Sequence, residues 1–368
     1  MIIKNGNVFC PDGIFRIKDL YIADGLITEN AQTAAADGKM IDANRKYVIP
    51  GLVDIHSHGA IGHDFCAADS EGLKEILAYE KSCGITSYCP TSMSLSKEML
   101  LNIFKSASGI APGDELANIV GINMEGPFIA MSKKGAQNGK YISKPDVAFF
   151  EEVNRASGNL IKLVTLAPEE AGSAEFIEKL HDKVVISIGH TNANYDEAAA
   201  AFHAGANHVT HLCNAMRPFH HRDPGVYGAA ADNDDVFVEL ICDGIHIHSA
   251  MVRSLFKLFG ADRICLISDS MEATGMPDGD YELGKQHVIK KGHLVTLEDG
   301  TIAGSATNLF DCMKKAMAFG IAPEDAIKAA TITPAKSINA YPQIGALQAG
   351  SKADILILDD SFHLEQIL

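Results

Sequence analysis

Apolar and polar residues alternate in regular blocks along the middle of this chain. Eight apolar runs each end in polar or turn-forming residues, and apolar residues at helical spacing lie between several of them. The runs cover residues 52–55, 85–89, 118–124, 161–166, 184–188, 208–210, 236–242 and 264–268. The helical patterns cover residues 70–81, 97–106, 173–181, 195–203 and 250–258. Eight strands with helices between them predict an α/β fold, a (β/α)8 TIM barrel, whose chemistry lies at the C-terminal ends of the strands.

The two ends of the chain have a different pattern. Short runs typical of strands cover residues 1–9, 19–27 and 46–49, with turn pairs such as Asp12-Gly13 between them. A last run over 355–358 is not followed by a pattern that could form a barrel helix. The simplest arrangement brings both ends together in one small β-sandwich domain beside the barrel.

This division predicts the domain boundaries. Residues 1–50 and 340–368 are expected to form the small domain, and residues 51–339 the barrel. The alternation of strand and helix is interrupted after the eighth run, where residues 285–289 and 293–297 form two short strand-like runs. We therefore expect a β-hairpin insertion near residues 278–304.

Length and charge narrow the class of protein. A barrel takes roughly 250 residues, so 368 residues allow one barrel and a smaller domain. A formal net charge of -16 argues against a nucleic-acid binder, which usually presents a basic face. No apolar stretch approaches the roughly 18 residues of a membrane span, and the first residues lack the features of a secretory signal. We expect a cytoplasmic protein with neither nucleic acid nor membrane as a partner.

The cysteines agree with this location. The chain has eight cysteines and no C-x-x-C pair. Several of them lie within apolar runs, where a free thiol acts as a small apolar side chain. We expect a reducing compartment and no disulfide framework.

Histidines and carboxylates follow five of the eight runs. The first group is His56-Ser57-His58, directly after residues 52–55. Side chains two residues apart in an extended strand point to the same side, so both imidazoles would project into the mouth of the barrel. An exposed turn would also explain an isolated pair of this kind. The clear strand before the pair favours ligation of a metal ion instead.

Glu125 and His190 end the third and fifth runs. Glu125 is followed by Gly126-Pro127, so it does not lie on a solvated helix face, and a buried carboxylate needs a partner such as a cation. A structural salt bridge is the alternative for Glu125, and a satisfied core histidine is the alternative for His190. His190 and His211 stand at matching strand ends. Metal binding is therefore as well supported for them as a role in the core.

The sixth run begins with His208 and is followed directly by His211. They are three residues apart, so in a strand they face opposite sides and only one of them can enter the site. We choose His211 because it stands nearer the C-terminal end of the run and precedes Asn214-Ala215.

Asp269 closes the eighth run. In a metal-dependent hydrolase, a carboxylate at this place takes a proton from the attacking water and passes it to the leaving group. A bound metal can lower the pKa of water from about 15.7 to about 7. The alternative role, a cap for a following helix, is disfavoured because Pro277 and Gly279 come before any helix could grow.

Two further features concern a substrate. Arg222 lies in a polar, basic loop of an acidic protein, and its guanidinium can form two parallel bonds to a phosphate. A surface arginine without function is the alternative. His246 follows the seventh run and could bond to a substrate oxygen.

With these residues in place, the chain resembles the N-acetylglucosamine-6-phosphate deacetylase family of the amidohydrolase superfamily over nearly its whole length. The resemblance runs from residues 50–59 to residues 350–354. The most specific motifs are Met124-Glu125-Gly126-Pro127-Phe128, Gly189-His190-Thr191-Asn192-Ala193, Thr210-His211-Leu212-Cys213-Asn214-Ala215-Met216 and Asp269-Ser270-Met271-Glu272-Ala273-Thr274-Gly275.

The resemblance implies a metal centre. Glu125, His190 and His211 would hold one ion, and Asp269 would be the catalytic acid and base. Some relatives replace the H-x-H pair and keep a single metal. Because this chain retains the pair, we expect two divalent ions per subunit, Zn2+ or Fe2+, with Glu125 bridging them.

The resemblance also implies how a substrate is bound. His246 would contact it near the scissile acetamide. Asn214, Ala215 and Arg222 would recognise a phosphorylated amino sugar, with Arg222 reaching across from the neighbouring subunit of a homodimer.

Related enzymes offer a contrast in how the metals are bridged. Dihydroorotases use a carboxylated lysine at the end of the fourth strand. The fourth run of this chain, residues 161–166, has Lys162 at its beginning, which is the wrong end. The bridge must come from elsewhere, and Glu125 supplies it.

These observations predict an enzyme that hydrolyses the acetamide of N-acetyl-D-glucosamine 6-phosphate to D-glucosamine 6-phosphate and acetate, in amino-sugar catabolism. The same chemistry on N-acetylgalactosamine 6-phosphate or on an N-acyl-D-amino acid is the first alternative. From a different class, the chain could be a non-catalytic metal-binding relic of the fold. A relic, however, has no reason to keep Asp269 together with the metal ligands.

Overall fold

The structure is a computed structural model that describes residues 1–36 and 38–368. Turns at Gly13 and Gly25, both at positive φ, join the first three strands into an antiparallel ribbon. The first segment contains β1 (Ile2–Phe9), β2 (Phe15–Ala23), β3 (Leu26–Thr28), α1 (Ala31–Ala35), β4 (Met40–Asp42) and β5 (Tyr47–Pro50).

The next segment alternates strands and helices, as the sequence predicts. Its strands are β6 (Leu52–Ser57), β7 (Gly59–Ala60), β8 (His63–Asp64), β9 (Ile85–Ser92), β10 (Asn118–Ile119), β11 (Ile122–Glu125), β12 (Ile161–Leu166), β13 (Val185–Ile188), β14 (His208–Val209), β15 (Phe237–Ile241) and β16 (Ile264–Ile267). Its helices are α2 (Ser70–Ser82), α3 (Lys97–Ser108), α4 (Val147–Ala156), α5 (Ser173–Leu180), α6 (Tyr195–His203), α7 (Gly225–Ala231) and α8 (Ser249–Phe259).

Eight of these strands form one parallel sheet in the order β6-β9-β11-β12-β13-β14-β15-β16. The first and last strands meet just beyond their ends. There, the backbone N–H of Asp269 donates to the carbonyl of His56 (2.9 Å), and that of His58 donates to the carbonyl of Ser270 (2.7 Å). The (β/α)8 barrel predicted from the sequence is confirmed.

Within the barrel, the third predicted run is wrong in one respect. Residues 118–124 form two strands, and only β11 joins the barrel, while β10 pairs with β9 alone. The break falls at Gly121, where an added Cβ would lie 2.3 Å from Cγ of Lys162. The neighbouring strand β12 passes so closely that only glycine fits at the break.

The five predicted helices are present, each within two residues of its expected bounds. The helices α4 and α7 were not predicted. In α4, Phe150 and Val153 are buried at helical spacing, so the sequence carries a helical pattern there. In α7, five of the seven residues are Gly or Ala, which give no amphipathic pattern to detect.

The insertion after β16 has three antiparallel strands and not the two of a hairpin. The missed strand, β17, has one buried side chain, Leu283, so its apolar signal is weak. Lys290 Nζ donates to the carbonyl of Ala273 (2.9 Å) and fixes the insertion to the loop after β16. The three strands are β17 (Gly279–Leu283), β18 (Gln286–Lys291) and β19 (Leu294–Thr296).

The last segment returns the chain to the first one. Pro323 and Pro334 both lie in the first turn of a helix, where a missing N–H removes no helical hydrogen bond. The elements are α9 (Leu309–Ala318), α10 (Pro323–Ala330), α11 (Ile332–Ser337), β20 (Ile355–Leu358) and β21 (Leu364–Ile367). Among the residues described, no helix is long and apolar enough to cross a membrane.

Both ends of the chain form one strand-rich unit. The sheet order is β21-β20-β5-β1-β2-β3, and β4 pairs with β1. The N–H of Ile27, in β3, donates to the carbonyl of Ser351 (2.8 Å), in the segment of the chain that leads into β20. This bond joins the β3 edge of the sheet to that segment, so the sheet closes on itself. An apolar cluster that includes Ile3, Val48 and Ile357 fills it. This is the small β-sandwich expected from both termini.

A second apolar cluster fills the inside of the barrel. Val53, Ile55 and Leu163 pack there with Ile338 and Ile344 from the segment after α11. A filled interior leaves the rim at the strand ends as the place for a site.

One buried group is not explained by packing. Glu80, in α2, is fully buried, and neither of its carboxylate oxygens has a hydrogen-bond partner among the described residues. Burial raises the pKa of Glu80 well above its usual range, and the charge of Asp54 adds to the effect. Burial likewise raises the pKa of Asp54 to about 6. The folded protein therefore holds a proton on Glu80 that the unfolded chain releases.

Replacement of Glu80 by glutamine tests this. Because the native state binds the additional proton, the free energy of unfolding of the unaltered protein should fall as the pH rises above 4.5, the ordinary value for the group. Denaturant titrations between about pH 5 and pH 8 should show a smaller fall for Glu80→Gln. Identical slopes for the two proteins would mean that Glu80 does not hold the proton.

Candidate active site

The residues expected at the strand ends come together at one rim of the barrel. His56 lies in β6 and Glu125 ends β11. His190, His211 and Asp269 each follow the end of a strand by two residues. These side chains and that of His58 are buried, with between 0% and 7% of each residue exposed.

Glu125, His190 and His211 form the first group that could hold a metal ion. Oε1 of Glu125 lies 3.1 Å from Nε2 of His190 and 2.8 Å from Nε2 of His211. The two ring nitrogens are 3.1 Å apart. Three donor atoms that face one another this closely have the spacing of ligands around a single cation.

His56, His58 and the same Glu125 form the second group. Nε2 of each of these histidines lies 3.5 Å from an oxygen of Glu125. Oδ1 of Asp269 completes the surroundings, 3.2 Å from Nε2 of His58 and 3.6 Å from Nε2 of His56. Glu125 is therefore common to both groups, and Asp269 lies next to the second.

The orientation of the histidines suits metal binding. Nδ1 of His58 lies 3.1 Å from the carbonyl of Thr91, and Nδ1 of His190 lies 2.9 Å from the carbonyl of Lys133. A carbonyl only accepts, so each Nδ1 carries a proton and each Nε2 points toward Glu125, where a neutral ring would offer its lone pair to a bound cation. Nε2 of His56 is buried and has no hydrogen-bond partner among the described residues. Imidazole and carboxylate donors with free lone pairs fit a divalent metal ion.

The charges of the site act on one another. Burial alone would raise the pKa of Glu125, but His190 and His56 outweigh it and hold that pKa well below its usual range. Burial would lower the pKa of His56, but the carboxylates of Glu239 and Glu125 raise it to about 10. For Asp269, the hydrogen bond to His58 overcomes burial and lowers the pKa. The two carboxylates at the centre are therefore ionised.

A left-handed backbone turns three of the side chains into the site. The φ angles of His190, His211 and Asp269 are 46°, 29° and 50°. Such angles are uncommon for residues other than glycine and are found where surrounding contacts enforce them. No helix begins directly after Asp269, since α9 starts only at Leu309. The alternative role of Asp269 as a helix cap is therefore excluded.

His208 stays outside both groups. It is fully buried, and its Nε2 lies 3.2 Å from Oε1 of Glu239. His211, two residues beyond the end of β14, contacts Glu125 instead. The structure therefore separates the two histidines as predicted, but through the left-handed turn at His211 beyond the strand and not through alternation within it.

A cavity of about 270 Å³ opens in front of these residues. Two segments of the insertion border it, Leu283 on one side and residues 301–304 on another. The cavity is lined by His58, Met93, Glu125, Gly135, Ala136, Gln137, His190, His211, Asn214, Ala215, His246, Asp269, Leu283, Thr301, Ile302 and Gly304. Asn214, Ala215 and His246 therefore line the same cavity as the two His/Glu groups.

His246 is held by a neighbouring carboxylate. Its Nδ1 lies 2.7 Å from Oδ2 of Asp243, whose Oδ1 accepts the backbone N–H groups of Ile245 and His246. Burial would lower the pKa of His246, but Asp243 raises it. His246 lines the cavity, and Nε2 is its ring nitrogen that does not contact Asp243.

Arg222 is not brought into this cavity. It lies in an exposed loop, with Nη1 3.1 Å from Nε2 of His221. It lines a separate surface depression with Tyr195 and Pro224. Within one subunit, Arg222 is therefore apart from the other predicted site residues.

Sequence reasoning missed two polar residues that touch the ligands. Gln137, from a loop, donates from Nε2 to Oε2 of Glu125 (2.6 Å) and accepts the N–H of Ser94 (2.6 Å). Glu239, in β15, lies 2.9 Å from Nδ1 of His56. Glu239 could have been found, because a carboxylate inside an apolar strand needs buried partners. Gln137 has no comparable signal in its surrounding sequence.

Comparison with known proteins agrees with this geometry. Residues 47–367 match the Amidohydrolase family. The chain belongs to the amidohydrolase family. This amidohydrolase is 34% identical over 374 residues to the N-acetylglucosamine-6-phosphate deacetylase of Lysinibacillus sphaericus, with 100% of the chain and 96% of the relative covered. The family resemblance drawn from the motifs is confirmed.

Two further proteins bear on the substrate. One is the N-acetyl-D-glucosamine-6-phosphate deacetylase of Mycobacterium smegmatis, solved as an aspartate-to-alanine mutant in complex with N-acetyl-D-glucosamine-6-phosphate. Its structure is similar to that of the amidohydrolase with a TM-score of 0.91 and 29% identity, over 100% of this chain and 97% of that one. The N-acetylgalactosamine-6-phosphate deacetylase of Escherichia coli O157:H7 is 29% identical over 369 residues, 100% of this chain and 97% of the relative.

Gly189 offers a test of how the fold places His190. An added Cβ would lie 2.6 Å from Cβ of Thr210 and 2.8 Å from Cγ2 of Thr165, two buried and hydrogen-bonded side chains. Gly189→Ala should lower the free energy of unfolding by about 1–3 kcal/mol through overpacking. It should also displace His190 and reduce the metal bound per subunit, measured by elemental analysis. Gly109→Ala is the control, since its Cβ would meet nothing closer than 3.5 Å. Full metal content in Gly189→Ala would contradict the expected displacement.

Proposed function

We infer that this amidohydrolase hydrolyses the acetamide of N-acetyl-D-glucosamine 6-phosphate and releases D-glucosamine 6-phosphate and acetate. The observation that carries this function is the convergence of Asp269 and two His/Glu groups on one carboxylate, Glu125, in a single cavity. The chain that holds this site is 34% identical over its whole length to a deacetylase of that name.

We propose that the two groups hold two divalent ions and that Glu125 bridges them. Oε1 of Glu125 faces His190, His211 and His56, and Oε2 faces His58, so both groups share this one carboxylate. Zn2+ and Fe2+ both accept this combination of ligands. When bound, a divalent ion polarises the acetamide carbonyl and lowers the pKa of water to about 7.

Asp269 is the proposed carrier of the proton. It lines the cavity, and its pKa is lowered by the surrounding imidazoles, so it begins the reaction as a carboxylate. In this form it accepts a proton from the attacking water while the new C–O bond forms. It then gives that proton to the amine nitrogen while the C–N bond breaks.

Asn214, Ala215 and His246 are the proposed contacts to the sugar. All three line the cavity. The bond between Nδ1 of His246 and Asp243 leaves Nε2 to donate to the acetamide oxygen, on which negative charge develops.

Arg222 is the proposed phosphate ligand, acting across the interface of a homodimer. The residues described as lining the cavity include no lysine or arginine. A phosphate dianion needs charged donors, and a guanidinium can form two parallel bonds to it. Because Arg222 is exposed and apart from the cavity of its own subunit, the neighbouring subunit would receive it.

We place the reaction in the cytoplasm, in amino-sugar catabolism. All eight cysteines are free, and six of them are buried. Free thiols of this kind fit a reducing compartment.

Asp269→Asn tests the proposed acid and base. The substitution keeps the shape of the side chain and removes its capacity to accept a proton, so kcat for acetate release should fall about 10²- to 10⁴-fold. Metal content, measured on the same samples, should stay at the level of the unaltered enzyme. Near-normal turnover by the metal-loaded variant would exclude the role.

A mixed dimer tests the position of Arg222. Arg222→Ala and Asp269→Asn should each be nearly inactive alone. In a mixed dimer, the Asp269→Asn subunit supplies its intact Arg222 to the site that retains Asp269. Random assembly should therefore restore about a quarter of the activity of the unaltered dimer. No recovery in verified mixed dimers would mean that Arg222 serves its own subunit or none.

N-acetylgalactosamine 6-phosphate is a second candidate substrate, because the Escherichia coli O157:H7 enzyme named for it covers the whole chain at 29% identity. The two sugars differ in the configuration of one hydroxyl. We expect kcat/KM to be higher for the gluco sugar, measured by acetate release with both epimers under the same conditions. A higher kcat/KM for the galacto sugar would make N-acetylgalactosamine 6-phosphate the preferred substrate.

A further inference from the structure

Glu239 is a buried carboxylate that contacts ligands of both candidate metal sites. It lies in β15, is fully buried, and has three hydrogen-bond partners. Oε2 lies 2.9 Å from Nδ1 of His56 and accepts the backbone N–H of His211 at 2.9 Å. Oε1 lies 3.2 Å from Nε2 of His208. One oxygen thus joins a residue of the first His/Glu group to a residue of the second.

The contact with His56 sets the direction of a ligand. An ionised carboxylate only accepts, so Nδ1 of His56 carries the proton. Nε2 is then the nitrogen that a neutral ring would present to a cation, and it lies 3.5 Å from Oε1 of Glu125 and 3.6 Å from Oδ1 of Asp269. Carboxylate partners of this kind orient histidine ligands and increase their basicity. His58 and His190 have neutral carbonyls in the same position, so His56 has the stronger acceptor.

The contact with His211 holds a strained backbone. His211 has φ at 29°, and its N–H would otherwise point into a buried region without a backbone partner. A charged acceptor makes this hydrogen bond stronger than a neutral one. The bond fixes the turn that brings Nε2 of His211 within 2.8 Å of Glu125.

His208 belongs to neither metal group, but it contacts Glu239. Its Nε2 faces Oε1, the oxygen of Glu239 that the ligands leave free. A buried carboxylate is stable only when its oxygens are satisfied. His208 therefore supports Glu239, and Glu239 supports the ligands.

We propose that Glu239 is a positioning residue that sets the ligand geometry of both metal sites at once. This inference rests on the metal-binding role proposed above for His56, His58, Glu125, His190 and His211. Strand β15 contributes no ligand to either group. Through Glu239 it would nevertheless orient the ligands on β6 and after β14.

Glu239→Gln tests the proposal, with Glu80→Gln as the matched control. Both substitutions remove one fully buried carboxylate, but Glu80 has no hydrogen bond to the site. The apo proteins are titrated with Zn2+ alone, in competition with a chelator, and without substrate. Loss of a residue that orients ligands lowers metal affinity about 10- to 100-fold. We expect this loss for both ions in Glu239→Gln and no loss in Glu80→Gln.

The outcomes separate this proposal from the proposed function. Weaker binding of one ion only, of neither, or an equal loss in the control would overturn the role of Glu239. An unaltered protein that binds no Zn2+ would overturn the metal centre itself. If Glu239→Gln does not fold, 15N NMR of the unaltered, Zn2+-loaded protein decides the matter. A proton on Nδ1 of His56 in a strong hydrogen bond supports the proposal, and a proton on Nε2 overturns it.

Discussion

The rest of the active site depends on one carboxylate, that of Glu125. The imidazoles that follow β13 and β14 lie 3.1 Å and 2.8 Å from its Oε1, and the two histidines at the end of β6 lie 3.5 Å from its oxygens. A buried charge is stable only where its partners are held in place. The parallel barrel meets this requirement because all its strands end at the same rim. Distant parts of the chain then meet at one point without a long loop between them.

Convergence also requires that the chain leave each strand in the right direction. His190, His211 and Asp269 do so in the left-handed region, which non-glycine residues enter at a cost of about 1–3 kcal/mol. Hydrogen bonds from elsewhere hold each of them. The carbonyl of His190 accepts the N–H of Ala130 (3.0 Å), and the carbonyl of Asp269 accepts that of Ser305 (2.7 Å). The strained backbone of these residues is thus held by contacts from outside their own strands.

The fold and the central residues could be predicted because both depend on local patterns. Apolar runs mark the strands, and a polar residue directly after a strand of a barrel lies at the rim. The position of His211 after its apolar run distinguishes it from His208 at the start of that run. The partners of these residues could not be predicted, because they depend on which atoms meet in space. Gln137 approaches Glu125 from a loop, and no pattern in the sequence marks it. The proposed role of Arg222 depends on a neighbouring subunit, about which a single chain carries no local signal.

The closed sheet at the two ends of the chain has a consequence for biosynthesis. Strand β5 lies between β1 and β20, and the carbonyl of Asp354, just before β20, accepts the N–H of Gly51 at the threshold of β6 (2.9 Å). During translation, the N-terminal ribbon leaves the ribosome long before its last neighbours exist. Its apolar side chains must stay uncovered while some 300 intervening residues are made. The small domain can therefore be completed, and can hold the start of the barrel in place, only after the whole barrel has been synthesised.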